Sequence, residues 1–121
     1  MGLDMFAEVT AEKPSSPVDF EVSDARQIFE WWKHPNLHGW MERLYRAKGG
    51  KAEMFNRGAP VVLTSEDLDR LEADIRADSL PFTSGFFFGY SIERTEEDLS
   101  FIAKAREAIA QGLTVYYDSS W

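Results

Sequence analysis

The chain has 121 residues, no cysteine and a formal net charge of −8 at pH 7. This length suits one domain with a real hydrophobic core, so residues 1–121 are predicted to form a single domain. The lack of cysteine excludes disulfides, thiolate metal sites and cysteine nucleophiles, and the acidic balance disfavours binding to nucleic acid, whose phosphates it repels.

The start of the chain and its hydropathy bear on where the protein resides. The first residues, MGLDMFAEVT, have no basic segment followed by a long apolar run, so they lack the form of a signal peptide. No stretch of the sequence approaches the ~20 consecutive apolar residues of a membrane span. We therefore expect a protein without a membrane anchor that stays in the cytoplasm.

The first third of the chain is predicted to hold a strand and a helix. Residues 2–9 alternate apolar and acidic side chains over most of their length, which favours a short strand. A helix is predicted over about 23–33, because Ile28, Phe29 and Trp32 would share one helical face.

A second helix is predicted to follow Pro35, because the residue before a proline avoids helical angles and makes His34 a boundary. Its apolar stripe comprises Leu37, Trp40, Met41 and Leu44. The glycine pair at 49–50 is a typical helix end. Two further helices are predicted to begin at the stretches TSED, from Thr64, and TEED, from Thr95, because both have the spacing of a capping box.

The sequence thus predicts an α+β fold, with a small sheet packed against about four helices. Its four short strands are expected near residues 2–9, 60–63, 85–91 and 113–118. The third of these contains SGFFFG, whose phenylalanines would point alternately to both faces of the sheet. A strand that is apolar on both faces is normally interior, so residues 85–91 are predicted to be the central strand.

Four stretches, taken in order along the chain, resemble a family of small bacteriophage and prophage proteins. They are MGLDMF at the start, WWKHPNLHGWM at 31–41, LPFTSGFFFG at 80–89 and YYDSSW at the end. Members of the family share a starting GLDM, a WRKxxxxHxW stretch, an LPxxSGFFFG stretch and a terminal SSW. Here Trp32, Lys33, His38 and Trp40 occupy the second pattern, without the arginine between tryptophan and lysine.

The resemblance implies a phage-related origin and brings no established activity with it. Members have been labelled phosphoglycerate kinases, but 121 residues are too few for that two-domain enzyme, and the sequence has no G-x-x-x-x-G-K-[ST] loop. We expect a phage-type accessory protein that acts by protein–protein interaction, modulating or inhibiting a bacterial host or defence protein in the host cytoplasm. No cofactor and no metal ion are expected.

Tryptophans are the candidate anchors of such an interface. Trp31 and Trp32 point about 100° apart on a helix, so both would not readily enter one core, and Trp121 lies at the end of the sequence. Exposed large aromatic residues are typical anchors of protein interfaces. A wide buried face under a second helix is the alternative for the tryptophan pair. The acidic charge either keeps the protein soluble or attracts a basic partner.

The alternative function is that of a small-ligand-binding protein or an enzyme with a pocket of histidine, serine and aromatic residues. Such a pocket would draw on the stretches that carry the resemblance and on a few convergent polar groups. Its candidate residues are His38, Trp40, Ser84, Gly85, Phe86, Ser119, Ser120 and Trp121. The two glycines of SGFFFG allow a close approach of other groups, so the pocket is expected beside Ser84 and Gly85.

Other chemistries find less support in the sequence. His34 and His38 have an i, i+4 spacing that could hold zinc, but Pro35 lies between them and no third ligand is implied. Ser84 is not in a G-x-S-x-G elbow, so a serine hydrolase is not favoured. The GFFFGY stretch lacks the basic residue and the surrounding charge of an RNA-binding strand.

Overall fold

A computed structural model describes residues 2–85, 88–89 and 93–121. Within these ranges the chain forms four strands and three helices, which confirms the predicted α+β class. In chain order they are β1 (Asp4–Thr10), β2 (Arg26–Trp32), α1 (Pro35–Ala47), β3 (Val61–Leu63), α2 (Ser65–Arg76), α3 (Thr95–Ala110) and β4 (Thr114–Ser120). The strands pair antiparallel in the order β2-β1-β4-β3.

The predicted helix over 23–33 is wrong, because Arg26–Trp32 form strand β2 at one edge of the sheet. The spacing of Ile28, Phe29 and Trp32 fits a helical face, but aromatic and β-branched residues also favour strands. Pairing with β1 decides between the two structures. The described residues therefore contain three helices where four were predicted.

The predicted central strand over 85–91 is not part of the described sheet, whose central strands are β1 and β4. Gly85, Phe88 and Gly89 belong to no strand, and residues 86, 87, 90 and 91 lie outside the described residues. The backbone N–H of Phe88 donates to the carbonyl of Gly85 at 3.2 Å, and the Phe88 ring is buried.

The helix boundaries follow local signals in most cases. Helix α1 begins at Pro35, directly after His34, as predicted. Helix α2 has the predicted capping box, in which the Thr64 side chain accepts from the Asp67 N–H and the Asp67 carboxylate accepts from the Thr64 N–H. Helix α3 differs, because Thr95 is its first residue and no side chain caps it. Asp98 instead accepts a hydrogen bond from the Trp31 indole N–H.

The sheet has two unlike faces, because successive side chains of a strand point to opposite sides. The inner face packs against the three helices in one hydrophobic core, to which the sheet contributes Met5, Ala7, Val9, Trp31, Val61, Leu63, Val115 and Tyr117. The opposite face, here called the outer face, includes Asp4, Phe6, Glu8, Glu30, Trp32, Val62, Tyr116, Asp118 and Ser120. No described helix covers the outer face. This face of the sheet is therefore a candidate binding surface.

Candidate functional sites

Three of the stretches that carry the resemblance meet on the inner side of the sheet. The His38 ring of α1 lies 5.2 Å from the Phe88 ring, centroid to centroid, and 5.9 Å from the ring of Tyr117. The Phe88 ring in turn lies 5.1 Å from Trp121 in an edge-on contact. Phe55, from the connection between α1 and β3, stacks on Tyr117 at 5.8 Å. We call these five residues the aromatic cluster.

The polar atoms of the aromatic cluster are held in neutral form. His38 Nδ1 lies 2.6 Å from the phenol oxygen of Tyr117, and within the described residues His38 Nε2 has no hydrogen-bond partner. Burial lowers the pKa of His38 to about 4, and burial raises the pKa of Tyr117 well above 10. Neither group titrates near pH 7, so the pair is poorly suited to general acid–base catalysis.

The C-terminal candidates are fixed by the chain around them. Ser119 is buried, and the Ser120 hydroxyl accepts from the Arg57 guanidinium at 2.9 Å. The Trp121 indole N–H donates to the Phe55 carbonyl at 2.8 Å, and Asn56 pairs with the backbone of Trp121 in both directions. These bonds hold the end of β4 in place. The Ser119 side chain interacts with the Tyr117 phenol, which in turn lies 2.6 Å from His38 Nδ1, so Ser119 reaches the histidine only through that buried phenol.

The remaining pocket candidates are spread out. Gly85 packs so closely on the Phe88 ring that a Cβ at this position would lie 2.6 Å from a ring carbon. Ser84 is exposed, and Phe86 lies outside the described residues. The Trp40 indole donates to Asp74 of α2 at 2.8 Å, on a different side of α1 from the aromatic cluster. The structure thus brings His38, Gly85, Ser119 and Trp121 near one packed cluster and separates Trp40 from it.

Of the interface candidates, Trp31 and Trp32 lie on opposite faces of the sheet. Trp31 is 3% exposed, which removes it as an anchor, whereas Trp32 is 59% exposed on the outer face. The Lys33 ammonium lies 4.6 Å from the centre of the Trp32 ring. Trp121 is half-buried by its contacts with the aromatic cluster.

A buried polar network that the sequence did not reveal surrounds Asp98 of α3. One carboxylate oxygen accepts from the Trp31 indole N–H at 3.1 Å, and the other lies 2.9 Å from His34 Nε2. His34 and Asp98 also line a cavity of about 620 Å³, together with Asn36, Arg76 and Arg94. In the sequence, Asp98 had only the signature of an acid in a first helical turn, because its partners lie more than 60 residues away.

The outer face is acidic and has an aromatic residue at its centre. On β1, Phe6 lies between Asp4 and Glu8, and across the strands it pairs with Glu30 on one side and Asp118 on the other. Asp4, Glu8, Glu30 and Asp118 have no ion-pair partner among the described residues. Phe6 is therefore bordered by a carboxylate on all four sides.

At the Glu8 end, the outer face deepens into a cavity of about 340 Å³. It is lined by Glu8, Phe20, Glu21, Val22, Gly58, Pro60, Tyr116 and Asp118. The Phe20 ring stands edge-on to Tyr116 at 5.2 Å. We call this hollow the acidic cavity, because three of the eight lining residues are acids and none is a base.

Burial raises the pKa values of three ionisable groups in the acidic cavity, Glu8, Tyr116 and Asp118. Burial, and secondarily repulsion from Asp118, raise the pKa of Glu8. Burial also raises the pKa of Asp118, against the hydrogen bonds that it accepts from backbone N–H groups. The pKa of Tyr116 is raised to about 12 by burial and then by Glu8 and Asp118. A positive charge in the cavity would oppose the carboxylate repulsion.

Comparisons of the chain with protein-family models, with curated proteins and with solved structures gave no match. Among the described residues, no helix has the length and apolarity needed to cross a bilayer. Within the same residues, no three histidine, aspartate or glutamate side chains come together as a metal-binding group would require.

Proposed function

We propose that this chain is an interaction protein that binds another protein through the outer face of its sheet. The observation that carries the proposal is the exposure of Trp32 on a sheet face that no described helix covers. A large aromatic residue that is 59% exposed costs solubility, whereas in an interface it provides a large apolar contact area. Half-buried Phe6 lies near it, at the centre of the same face.

The setting that we propose is that of a phage-type accessory protein in the cytoplasm of a bacterial host. The family resemblance supports this origin, and the buried His38–Tyr117 pair, which is poorly suited to acid–base catalysis, favours an interaction with a host or defence protein over an enzyme. The stretches that carry the resemblance supply His38, Phe88 and Trp121 to the aromatic cluster. The same stretches also supply Phe6, Trp32 and Asp118 to the outer face, where the partner would bind.

The experiment is capture of proteins from a bacterial lysate by the immobilised chain, with Trp32→Ala as the test variant. We expect Trp32→Ala to reduce the captured partner strongly, because interface tryptophans cost more than ~2 kcal/mol when truncated at a hot spot. Phe82→Ala is the matched control, since Phe82 is 79% exposed and lies outside the sheet. Equal capture by both variants and the unmodified chain, all folded by circular dichroism, would show that the outer face is not the binding surface.

A second candidate function is the binding of a small ligand in the cavity beside His34 and Asp98. The observation in its favour is that two almost fully buried polar side chains line a cavity of about 620 Å³. Titration with acetate and with inorganic phosphate, followed by amide NMR shifts, tests it. Saturable shifts of the Asn36 and Thr95 amides would support the ligand site. If no shift is seen at any concentration, the hydrogen-bond network around Asp98 has only a structural role.

A further inference from the structure

We infer that the partner bound at the outer face is a basic protein that places an arginine or lysine side chain in the acidic cavity. The inference rests on the proposed function and adds the chemistry of the partner to it. Its basis is the lining of the cavity, which combines the carboxylates of Glu8, Glu21 and Asp118 with the rings of Phe20 and Tyr116.

The shape and lining of the acidic cavity suit one long cationic side chain. Its volume of about 340 Å³ falls at the lower end of the range for specific ligand sites, which begins near ~300 Å³. The half-buried Phe20 ring can contact the aliphatic part of an arginine or lysine and attract its cation, whereas Tyr116 is 5% exposed and contributes little accessible surface. The carboxylates supply charged acceptors, for which a guanidinium offers matching paired donors.

The charges of the molecule set this cavity apart from the helical surface. On the helices, buried Asp67 is paired with Lys48 at 2.5 Å, and Glu72 is paired with Arg76 at 2.9 Å. Glu8 and Asp118 are also partly withdrawn from water, but no described base pairs with either. An external cation would therefore supply to Glu8 and Asp118 the charge pairing that Asp67 and Glu72 have on the helices.

Other occupants fit this cavity less well. A second copy of the chain would bring the same acids against each other, and nucleic acid would bring phosphates, so both are repelled. A metal ion needs converging oxygen ligands, and no such group is found among the described residues. The Lys33 ammonium lies over the Trp32 ring and the Arg57 guanidinium contacts Ser120, so neither base belongs to the lining of the acidic cavity.

The test is fluorescence anisotropy of a labelled peptide of alternating arginine and glycine, with a glutamate–glycine peptide for comparison. The test variant is Glu8→Gln with Glu21→Gln, and the control is Glu53→Gln with Glu107→Gln, which removes the same charge from exposed sites elsewhere. We expect the test variant to raise the dissociation constant of the arginine peptide about 10-fold and the control to raise it less than about 2-fold. Raising the salt concentration from about 0.05 to about 0.3 M should also weaken binding, because salt screens the charges.

Equal weakening by the two double variants would overturn the inference, because general attraction to an acidic protein would then explain binding. Failure of the unmodified chain to bind the arginine peptide more tightly than the glutamate peptide would overturn it as well. Free arginine and spermidine, added as competitors, distinguish a side chain presented by a peptide from any small cation. If spermidine displaces the labelled peptide as strongly as the unlabelled arginine peptide does, the cavity is a polyamine site and the partner is not a protein.

The inference of a basic partner and the proposed function can fail independently of each other. If Trp32→Ala abolishes capture of the lysate partner while the Glu8 and Glu21 variant captures it fully, the face binds a protein and the basic chemistry is wrong. If both changes are without effect on capture, the proposed function itself fails. A single Glu21→Gln variant in an exposed loop provides the same readout with no expected effect on folding.

Discussion

His38 Nδ1 and the phenol oxygen of Tyr117 lie 2.6 Å apart in the centre of the protein, joining α1 to a central strand of the sheet. Both residues are fully buried, and the second ring nitrogen of His38 has no partner among the described residues. The contact with Tyr117 is therefore the one hydrogen bond of the His38 ring among the described residues.

Replacing Tyr117 with phenylalanine is expected to destabilise the protein by about 1–3 kcal/mol, because His38 would be left buried with neither ring nitrogen bonded. Urea unfolding at pH 7 measures the change. Tyr116→Phe is the matched control, since the neighbouring ring faces the other side of the sheet. If the two variants lose the same stability, the bond to His38 is not the cause.

His38 is also expected to make the protein sensitive to mild acid. Its pKa is about 4 in the folded chain and near 6.5 when unfolded, so below pH 6.5 the unfolded state binds a proton that the folded state does not. The free energy of unfolding then falls as the pH is lowered, by up to about 1.4 kcal/mol per pH unit from this group, until the folded pKa is reached.

Comparison with His38→Leu isolates this contribution. Between pH 7 and pH 4 the variant is expected to lose less stability than the unmodified chain, by on the order of 3 kcal/mol over the whole interval. The measurement is the urea midpoint and slope at each pH. Parallel stability curves for the two proteins would mean that His38 protonates as readily when folded as when unfolded.

The contribution of Glu8 to stability is expected to have the opposite pH dependence from that of His38, and Glu8→Gln tests it. Because burial and Asp118 raise the folded pKa of Glu8, ionised Glu8 opposes folding at pH 7, and the opposition disappears below its unfolded pKa. The variant should therefore be more stable at neutral pH by about 0.5 kcal/mol, the scale of a cross-strand charge pair. The gain should vanish near the unfolded pKa of glutamate. Glu53→Gln, exposed in a loop, should show neither effect.

Gly39 of α1 is expected to resist replacement even though alanine favours helices by about 1 kcal/mol over glycine. A Cβ at residue 39 would lie on the Thr83 side chain, 2.9 Å from its Cβ and closer still to its hydroxyl. Gly39→Ala should therefore lose about 1–3 kcal/mol through overpacking. In a Thr83→Gly background the same change should become stabilising, and thermal unfolding of the four proteins tests this. A loss of the same size in both backgrounds would place the strain elsewhere.

Helix boundaries could be predicted from the sequence where they depend on neighbouring residues. The capping box at Thr64 and the start of α1 at Pro35 are such cases. Strand β2 was predicted as a helix because its apolar spacing suits both structures, and its pairing with β1, some 20 residues away, determines the outcome. The phenylalanine triplet predicts a central strand. Phe88, the one member of the triplet within the described residues, instead packs in the aromatic cluster outside the sheet.

The sites were less predictable than the elements, because each is assembled from distant parts of the chain. The aromatic cluster does join three of the four stretches that carry the resemblance, but as packed core rather than as an open pocket. Asp98 meets Trp31 across 67 positions of sequence, which no local pattern signals. The acidic cavity depends on the register that sets Glu8 beside Tyr116, so it becomes visible only once the strands are paired.

The pairing of β1 with β4 also governs when the protein can fold during its synthesis. These strands are about a hundred residues apart in the chain, yet they are neighbours in the middle of the sheet. Until β4 has been synthesised, β1 and β3 lack the strand that pairs with both of them. Because the central pair of the sheet joins two distant parts of the chain, folding is expected to be slower than in a protein of mainly local contacts.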